Sequence, residues 1–297
     1  MASGTHKIWL DTDIGSDIDD AVCLAYLLAN PACELLGITT VSGESELRAR
    51  MASALCRVAG QDVPIYPGRE KALLPGRFEQ LRAQQAEKLG AWAHETEFPR
   101  GEAVEHMRRT IRAHPGEVTL LTIGPLTNVA ALFAADPETA GMLRSLVMMC
   151  GIFTNGLAYI GPREWNAMLD RTATAMVYAQ DVAVHRSIGL DVTCKVLMPA
   201  DEVRERFDTP LLRPVRDFAQ VWFDSGAQHI IFHDPLAATT IFDDAICTFT
   251  RGEVTVELES RKLAGMTHWK AREDGPHEVA LSVDPARFFD HYFSFFD

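Results

Sequence analysis

Five aspartates stand within ten residues of one another in the stretch LDTDIGSDIDDAVCLAYLL: Asp11, Asp13, Asp17, Asp19 and Asp20. Carboxylates at that density raise one another's pKa values or require a cation. An all-oxygen donor set selects a hard ion such as Ca2+ or Mg2+ over zinc. Helix capping accounts for one or two acids ahead of the apolar run that follows, but not for five. The stretch is not an EF-hand. Counted from Asp11, Ser16 stands where the turn glycine belongs and Val22 where the bidentate glutamate belongs. The remaining ligands must come from elsewhere in the chain.

Three later stretches offer them. TIGPLTNVA (122–130) ends a strand and opens a helix, which leaves backbone carbonyls at a sheet edge. GPREWNAMLD (161–170) places Glu164 and Asn166 before another helix, and IIFHDPLAA (230–238) presents His233 and Asp234 ahead of Pro235. With proline at the first helical position, Asp234 reads as a helix N-cap. Taken singly, each also has a plain structural reading: caps for Asn128 and Asp234, a surface acid for Glu164, a packed imidazole for His233. Their joint placement at strand-to-helix junctions is what suggests a site.

The elements that must position these residues alternate strand, loop, helix: KIWL then 20–30, CELLGITTV then 46–59, VPIY, a polar helical stretch at 77–93, a helix at 103–113, VTLLTI then 126–135, and SLVMMC. Such alternation implies a parallel sheet covered by helices on both faces, with ligands at the carboxyl ends of the strands. The last third adds β-rich stretches near 245–259 and 279–283 and a final helix after Pro285. The expected class is α/β: an open, mostly parallel, mixed sheet flanked by helices with a Rossmann-like core, a single domain over residues 1–297.

Length and 47% hydrophobic content support a full buried core. A net charge of −13 disfavours nucleic acid polymers as partners. The six cysteines form no C-x-x-C pair, and no apolar run approaches the roughly 20 residues of a membrane helix. The N-terminal MASGTHK lacks a signal-peptide core, so a cytoplasmic protein without membrane contact is expected.

Together these stretches resemble the nucleoside hydrolase family of calcium-dependent N-glycosidases. The resemblance covers most of the chain: Asp-Thr-Asp…Asp-Asp-Ala, GITTVSG, GPLTN, EWN, GLDVT and HDP occur in the family's order. It implies cleavage of ribonucleosides to ribose and base by a Ca2+-bound water, in a homodimer or homotetramer serving purine or pyrimidine salvage or nucleoside catabolism. It further implies Asp13 as metal ligand and general base, and Asp20 as bidentate ligand. The Ile123 carbonyl becomes a ligand, and Asp234 a ligand that also binds a ribose hydroxyl. Asp19 would bind a ribose hydroxyl with Asp11 behind it, Glu164 and Asn166 would hold the sugar, and His233 is where some members protonate the leaving base. The chemistry suits these residue types independently, because carboxylates stabilise positive charge on the sugar and an acid stabilises the departing base.

There are departures. Five residues, IGSDI, separate Asp13 from the Asp19–Asp20 pair where the family has three, which leaves Asp17 as an alternative to Asp19. Glu44 replaces a usual Asn after TTVxG. Ala158 stands where a sugar-binding Asn is common, with Asn155 nearby as its substitute. Two other readings compete. One is an aspartyl-phosphate phosphohydrolase using FDD (242–244) as a second metal motif; the other is a Ca2+-containing ribose-binding protein without turnover.

Overall fold

Apolar runs without polar alternation belong to strands buried on both faces, and the computed structural model, which describes residues 4–76, 78–154, 156–157 and 160–296, builds a mostly parallel sheet in which WL, GITT, VTLLT and SLVMM are such buried runs. Its first strands in chain order are β1 (His6–Thr12), β2 (Cys33–Thr40), β3 (Ile65–Pro67), β4 (Val118–Thr122), β5 (Ser145–Met149) and β6 (His185–Ile188). A separate antiparallel ribbon pairs β7 (Leu197–Pro199) with β8 (His229–Ile231). The strands β9 (Cys247–Val256), β10 (Thr267–Ala271) and β11 (His277–Val283) then complete a nine-stranded sheet of order β10-β9-β11-β6-β5-β4-β1-β2-β3. All pairings are parallel except those of β9 with β10 and β11. The sheet is therefore mixed and mostly parallel, as the alternation implied.

The helices are α1 (Asp19–Ala29), α2 (Ser45–Val58), α3 (Ala103–Ala113), α4 (Thr127–Ala135), α5 (Glu138–Met142), α6 (Trp165–Leu169), α7 (Arg171–Tyr178), α8 (Leu190–Thr193), α9 (Ala200–Arg206), α10 (Leu212–Asp224), α11 (His233–Thr239) and α12 (Pro285–Phe293). Alternate residues of β1 feed two cores, Ile8 and Leu10 packing toward α1 and α10–α12, Trp9 toward α3, α4 and α7. Helix α1 is apolar on all sides, as a helix buried between the sheet and its neighbours must be. The polar stretch at 77–93 differs from expectation. From Phe78 it is irregular up to a 3-10 helix at Gln84–Ala91, because its polar groups bond across to other segments: Gln80 to Asp13, and the Ala83 amide to Glu44.

Chain order reverses at β1, whose neighbours are β2 and β4. Two diverging connections open a crevice there, at the carboxyl ends of the strands. Both the aspartate-rich turn and the TIGPLTN stretch leave the sheet at that crevice.

Candidate active site

Strand β1 delivers Asp11 into the core and Asp13 to the crevice, and the turn ends in the first residues of α1, Asp19 and Asp20, where the helix dipole favours negative charge. Thr12 Oγ1 donates to Asp20 Oδ1 (2.5 Å), and so does the Asp13 amide (3.1 Å). Asp11 is fully buried. Its Oδ1 accepts from Thr39 Oγ1 (2.5 Å) and Asn128 Nδ2 (2.8 Å). Among the described residues its Oδ2 has no partner. Burial pushes Asp11 up to about 7, against the pull of those two donors. Gly124 permits the close approach of the β4–α4 connection, since a Cβ there would lie 2.7 Å from Asp13 Oδ1.

Asp234 comes from the first turn of α11. The helix begins at His233 with Phe232 at the cap position, so the reading of Asp234 as N-cap is corrected. Its amide donates to Asp19 Oδ2 (3.3 Å). Carboxylate oxygens of Asp19, Asp20 and Asp234 all lie within 4.8 Å of one another, and all three residues are buried. Burial first, then the charges of their neighbours, pushes all three well above the usual carboxylate range. Three carboxylates cannot share that volume fully ionised without a counter-charge. A divalent cation with oxygen ligands fits this donor set.

Glu164 is buried rather than a surface acid. It caps α6, accepting from the amides of Asn166 (2.6 Å), Ala167 (2.9 Å) and Gly151 (3.1 Å). Asn166 Nδ2 donates to the carbonyls of Ile123 (2.9 Å) and Met149 (3.1 Å), which leaves Ile123 one lone pair. His233 does not pair with Asp234. Its Nδ1 meets Thr193 Oγ1 at 2.7 Å, and burial lowers it to about 4, so the ring is neutral at pH 7. Asp17 turns Oδ1 to the next amide (2.7 Å), and burial pushes it up to about 6.

One cavity of about 630 Å3 is lined by Asp13, Asp19, Asp20, Ile123, Glu164, Asn166, His233 and Asp234 together. Asn155, the other residue selected from sequence, lies outside the described residues. Asp17 lines the same cavity, but it is Asp19 that joins Asp20 and Asp234. Glu44, at φ 61°, instead fixes the Ala83 amide through Oε2 (2.8 Å). Asn128 caps nothing and supports Asp11, the Arg69 amide and the Thr40 carbonyl.

Several residues carry no sequence signal of this role. Gln80 donates through Nε2 to Asp13 Oδ2 and accepts through Oε1 from Trp165 Nε1 (2.5 Å). Arg48 is wholly buried beneath the turn. Met149, Leu190 and Trp222 supply apolar wall. Trp165 alone was within reach, since it sits inside the EWN motif. The FDD stretch is elsewhere: Asp243 binds Arg287 (2.7 and 2.9 Å) and Asp244 binds Arg186 (2.6 Å). The phosphohydrolase reading thereby loses its second motif.

A family model described as inosine-uridine preferring nucleoside hydrolase matches residues 8–290. The inosine-uridine preferring nucleoside hydrolase of Leishmania major is 30% identical over 304 residues, covering 95% of each chain. Uridine nucleosidase 1 of Arabidopsis thaliana is 28% identical over 310 residues, 95% of this chain and 90% of that one. The solved structure of a purine-preferring ribonucleoside hydrolase from Gardnerella vaginalis superposes with a TM-score of 0.83 at 23% identity, covering 98% of both chains. With the fold, the crevice and the ordered motifs in agreement, the chain belongs to the inosine-uridine preferring nucleoside hydrolase family.

Proposed function

We propose that Asp13 is the general base and that Asp20, Asp234, Asp13 and the Ile123 carbonyl hold one Ca2+, in a chain that its family makes an N-glycosidase cleaving ribonucleosides to ribose and free base. The observation that carries this reading is the buried convergence of Asp19, Asp20 and Asp234 within 4.8 Å, in the same cavity as Asp13, Glu164 and Asn166. When bound, a hard divalent cation acts as a Lewis acid that orients sugar hydroxyls and acidifies water.

The chain's own groups do the rest. Asp13 takes the proton of the attacking water through the carboxylate oxygen that Gln80 leaves free. Asp19 and Asp234 accept hydrogen bonds from ribose hydroxyls. Glu164, fixed by three amides, and Asn166 hold the sugar and place negative charge beside the carbon that becomes cationic. His233 is neutral, its Nδ1 paired with Thr193 Oγ1, and in the tautomer that carries the proton on Nε2 that group donates to the leaving base. Met149, Leu190 and Trp222 exclude water from that end. Among the described residues no helix is long and apolar enough to cross a membrane. We add a homodimeric or homotetrameric assembly and a role in nucleoside salvage or catabolism, which rest on the family resemblance.

The test is release of free ribose from a nucleoside panel by the purified protein, with elemental analysis of its metal. Ribose release with stoichiometric calcium supports the reading. Stoichiometric zinc refutes the donor set, and nucleoside binding without turnover replaces the enzyme by a ribose-binding protein.

A further inference from the structure

Beside the active cavity lies a second one of about 640 Å3, matching the first in size and opposite to it in charge. Four cations line it, Arg163, Arg171, Arg261 and Lys262, against a single acid, Glu259. This is unusual in a chain of net charge −13. Many arginines elsewhere find carboxylates: Arg112 binds Asp136 and Glu138, Arg186 binds Asp244 and Glu278, and Arg287 binds Asp243. Among the described residues none of the four cavity cations forms an ion pair. The acids next to them in sequence are already occupied: Asp170, beside Arg171, accepts from the Leu73 amide (2.7 Å), Thr127 Oγ1 (2.8 Å) and the Ala173 amide (3.0 Å), and Glu164, beside Arg163, from three amides.

Arg163 and Arg171 are half-buried. A partly desolvated guanidinium without a counter-charge is unfavourable, and a bound anion would relieve it. Guanidinium forks match phosphate oxygens bidentately. The other wall is apolar, formed by Phe78, Met168 and Leu258. Arg163 stands over the Phe78 ring at 5.5 Å, a cation and an aromatic face side by side. Such a surface takes a flat heteroaromatic ring, and the volume suits a ligand of nucleotide size.

We propose that this cavity binds a phosphorylated nucleoside, with its phosphate on Arg171, Arg261 and Lys262 and its base against Phe78 and Arg163. The site is independent of the chemistry assigned to the active cavity, so a direct binding measurement separates the two. Titration calorimetry of the full metal-loaded chain with adenosine 5′-monophosphate is the test, with adenosine and inorganic phosphate as comparison arms. The expected result is one site per chain, with the monophosphate bound at least about tenfold tighter than inorganic phosphate, because only it reaches both walls. The double variant Arg171→Gln/Arg261→Gln should weaken it at least about tenfold, while hydrolysis of a nucleoside without added nucleotide stays unchanged. Lys262→Gln, at an exposed position, gives the same direction without risk to folding. Binding unaffected by these variants, or inhibition strictly competitive with a nucleoside, places the nucleotide in the active cavity and overturns the proposal. Equal affinity for inorganic phosphate overturns the nucleoside part of the ligand, and no binding overturns the site.

Discussion

Arg48 ties the aspartate-rich turn to the rest of the fold, and its loss should be felt in stability and catalysis together. It is fully buried on α2. Its Nε donates to the Gly43 carbonyl (2.8 Å), Nη1 to the carbonyls of Asp13 and Ile14 (3.0 Å to the latter), and Nη2 to that of Arg82 (3.0 Å). One side chain thus joins the turn after β1, the entry to α2 and the segment carrying Gln80. Its charge also lowers the pKa of Asp13 and Asp20 against their burial. Arg48→Met keeps the apolar stem and removes every donor. The Arg82 carbonyl retains Ser16 Oγ (3.1 Å), so three carbonyls are orphaned. At about 1–3 kcal/mol per buried unsatisfied group, reduced by relaxation, the loss is about 3–6 kcal/mol.

With an unfolding entropy of about 2.1 cal/mol/K per residue over the whole chain, that lowers Tm by about 5–10 °C. Scanning calorimetry in calcium measures it, and kcat for a nucleoside should fall with it because Asp13 loses its anchor. Arg48→Lys keeps the charge but not the fork, so its Tm should lie between the two. A methionine variant melting within about 2 °C of wild type, with kcat intact, would refute the reasoning, since about 3 kcal/mol is the least that three orphaned carbonyls should cost.

The remaining expectations follow from the same geometry. Asp13→Asn should keep the fold and abolish turnover, while Asp17→Asn, outside the Asp19–Asp20–Asp234 group, should retain most of it; the reverse order in nucleoside assays would exchange their roles. His233→Ala should slow natural nucleosides by about 10²-fold or more yet barely affect p-nitrophenyl riboside, whose leaving group needs no proton; equal losses would remove leaving-group activation from His233. His185 is buried, with Nε2 on the Val177 carbonyl (3.2 Å), and burial lowers it from 6.5 to about 3. The unfolded chain then binds the proton first, so stability is full above pH 6.5 and falls as pH drops toward 3, by up to about 1.4 kcal/mol per pH unit from this group. Urea titrations of His185→Gln should show a shallower acid limb, and an unchanged slope would contradict the assignment.

What could be read in the sequence was what local chemistry dictates. Strand runs such as VTLLT and SLVMM carry no charge and no polar alternation, which burial on both faces explains, and the sheet follows. Paired acids at the start of α1 and the EWN and HDP stretches were legible because each motif sits at a strand-to-helix junction. The supporting residues were not. Arg48 is one arginine in an ordinary amphipathic helix, and only the close passage of three separate backbone segments makes it a fourfold donor. Gln80 lies in a polar stretch whose pattern suggests a helix, yet its bonds to Asp13 and Trp165 hold the segment irregular. The cap expected at Asp234 failed because proline at the third residue of α11 is as compatible with a helix first turn as at the first.

The crowding of acids in one turn follows from what the reaction demands of charge. A carboxylate stabilises a cationic sugar only if it is ionised and shielded from water, two conditions that oppose each other, because burial alone drives Asp19, Asp20 and Asp234 toward their neutral forms. Hydrogen bonds from Thr12 and the Asp13 amide offset part of that tendency, and Arg48 a further part, yet one guanidinium cannot balance the group. A divalent cation held by Asp19, Asp20 and Asp234 would supply the missing charge. On the Glu164 side three amides offset part of the burial that raises a fourth carboxylate. Negative charge would thus be favoured by two different means on the two sides of the cavity, a cation on one and amide donors on the other.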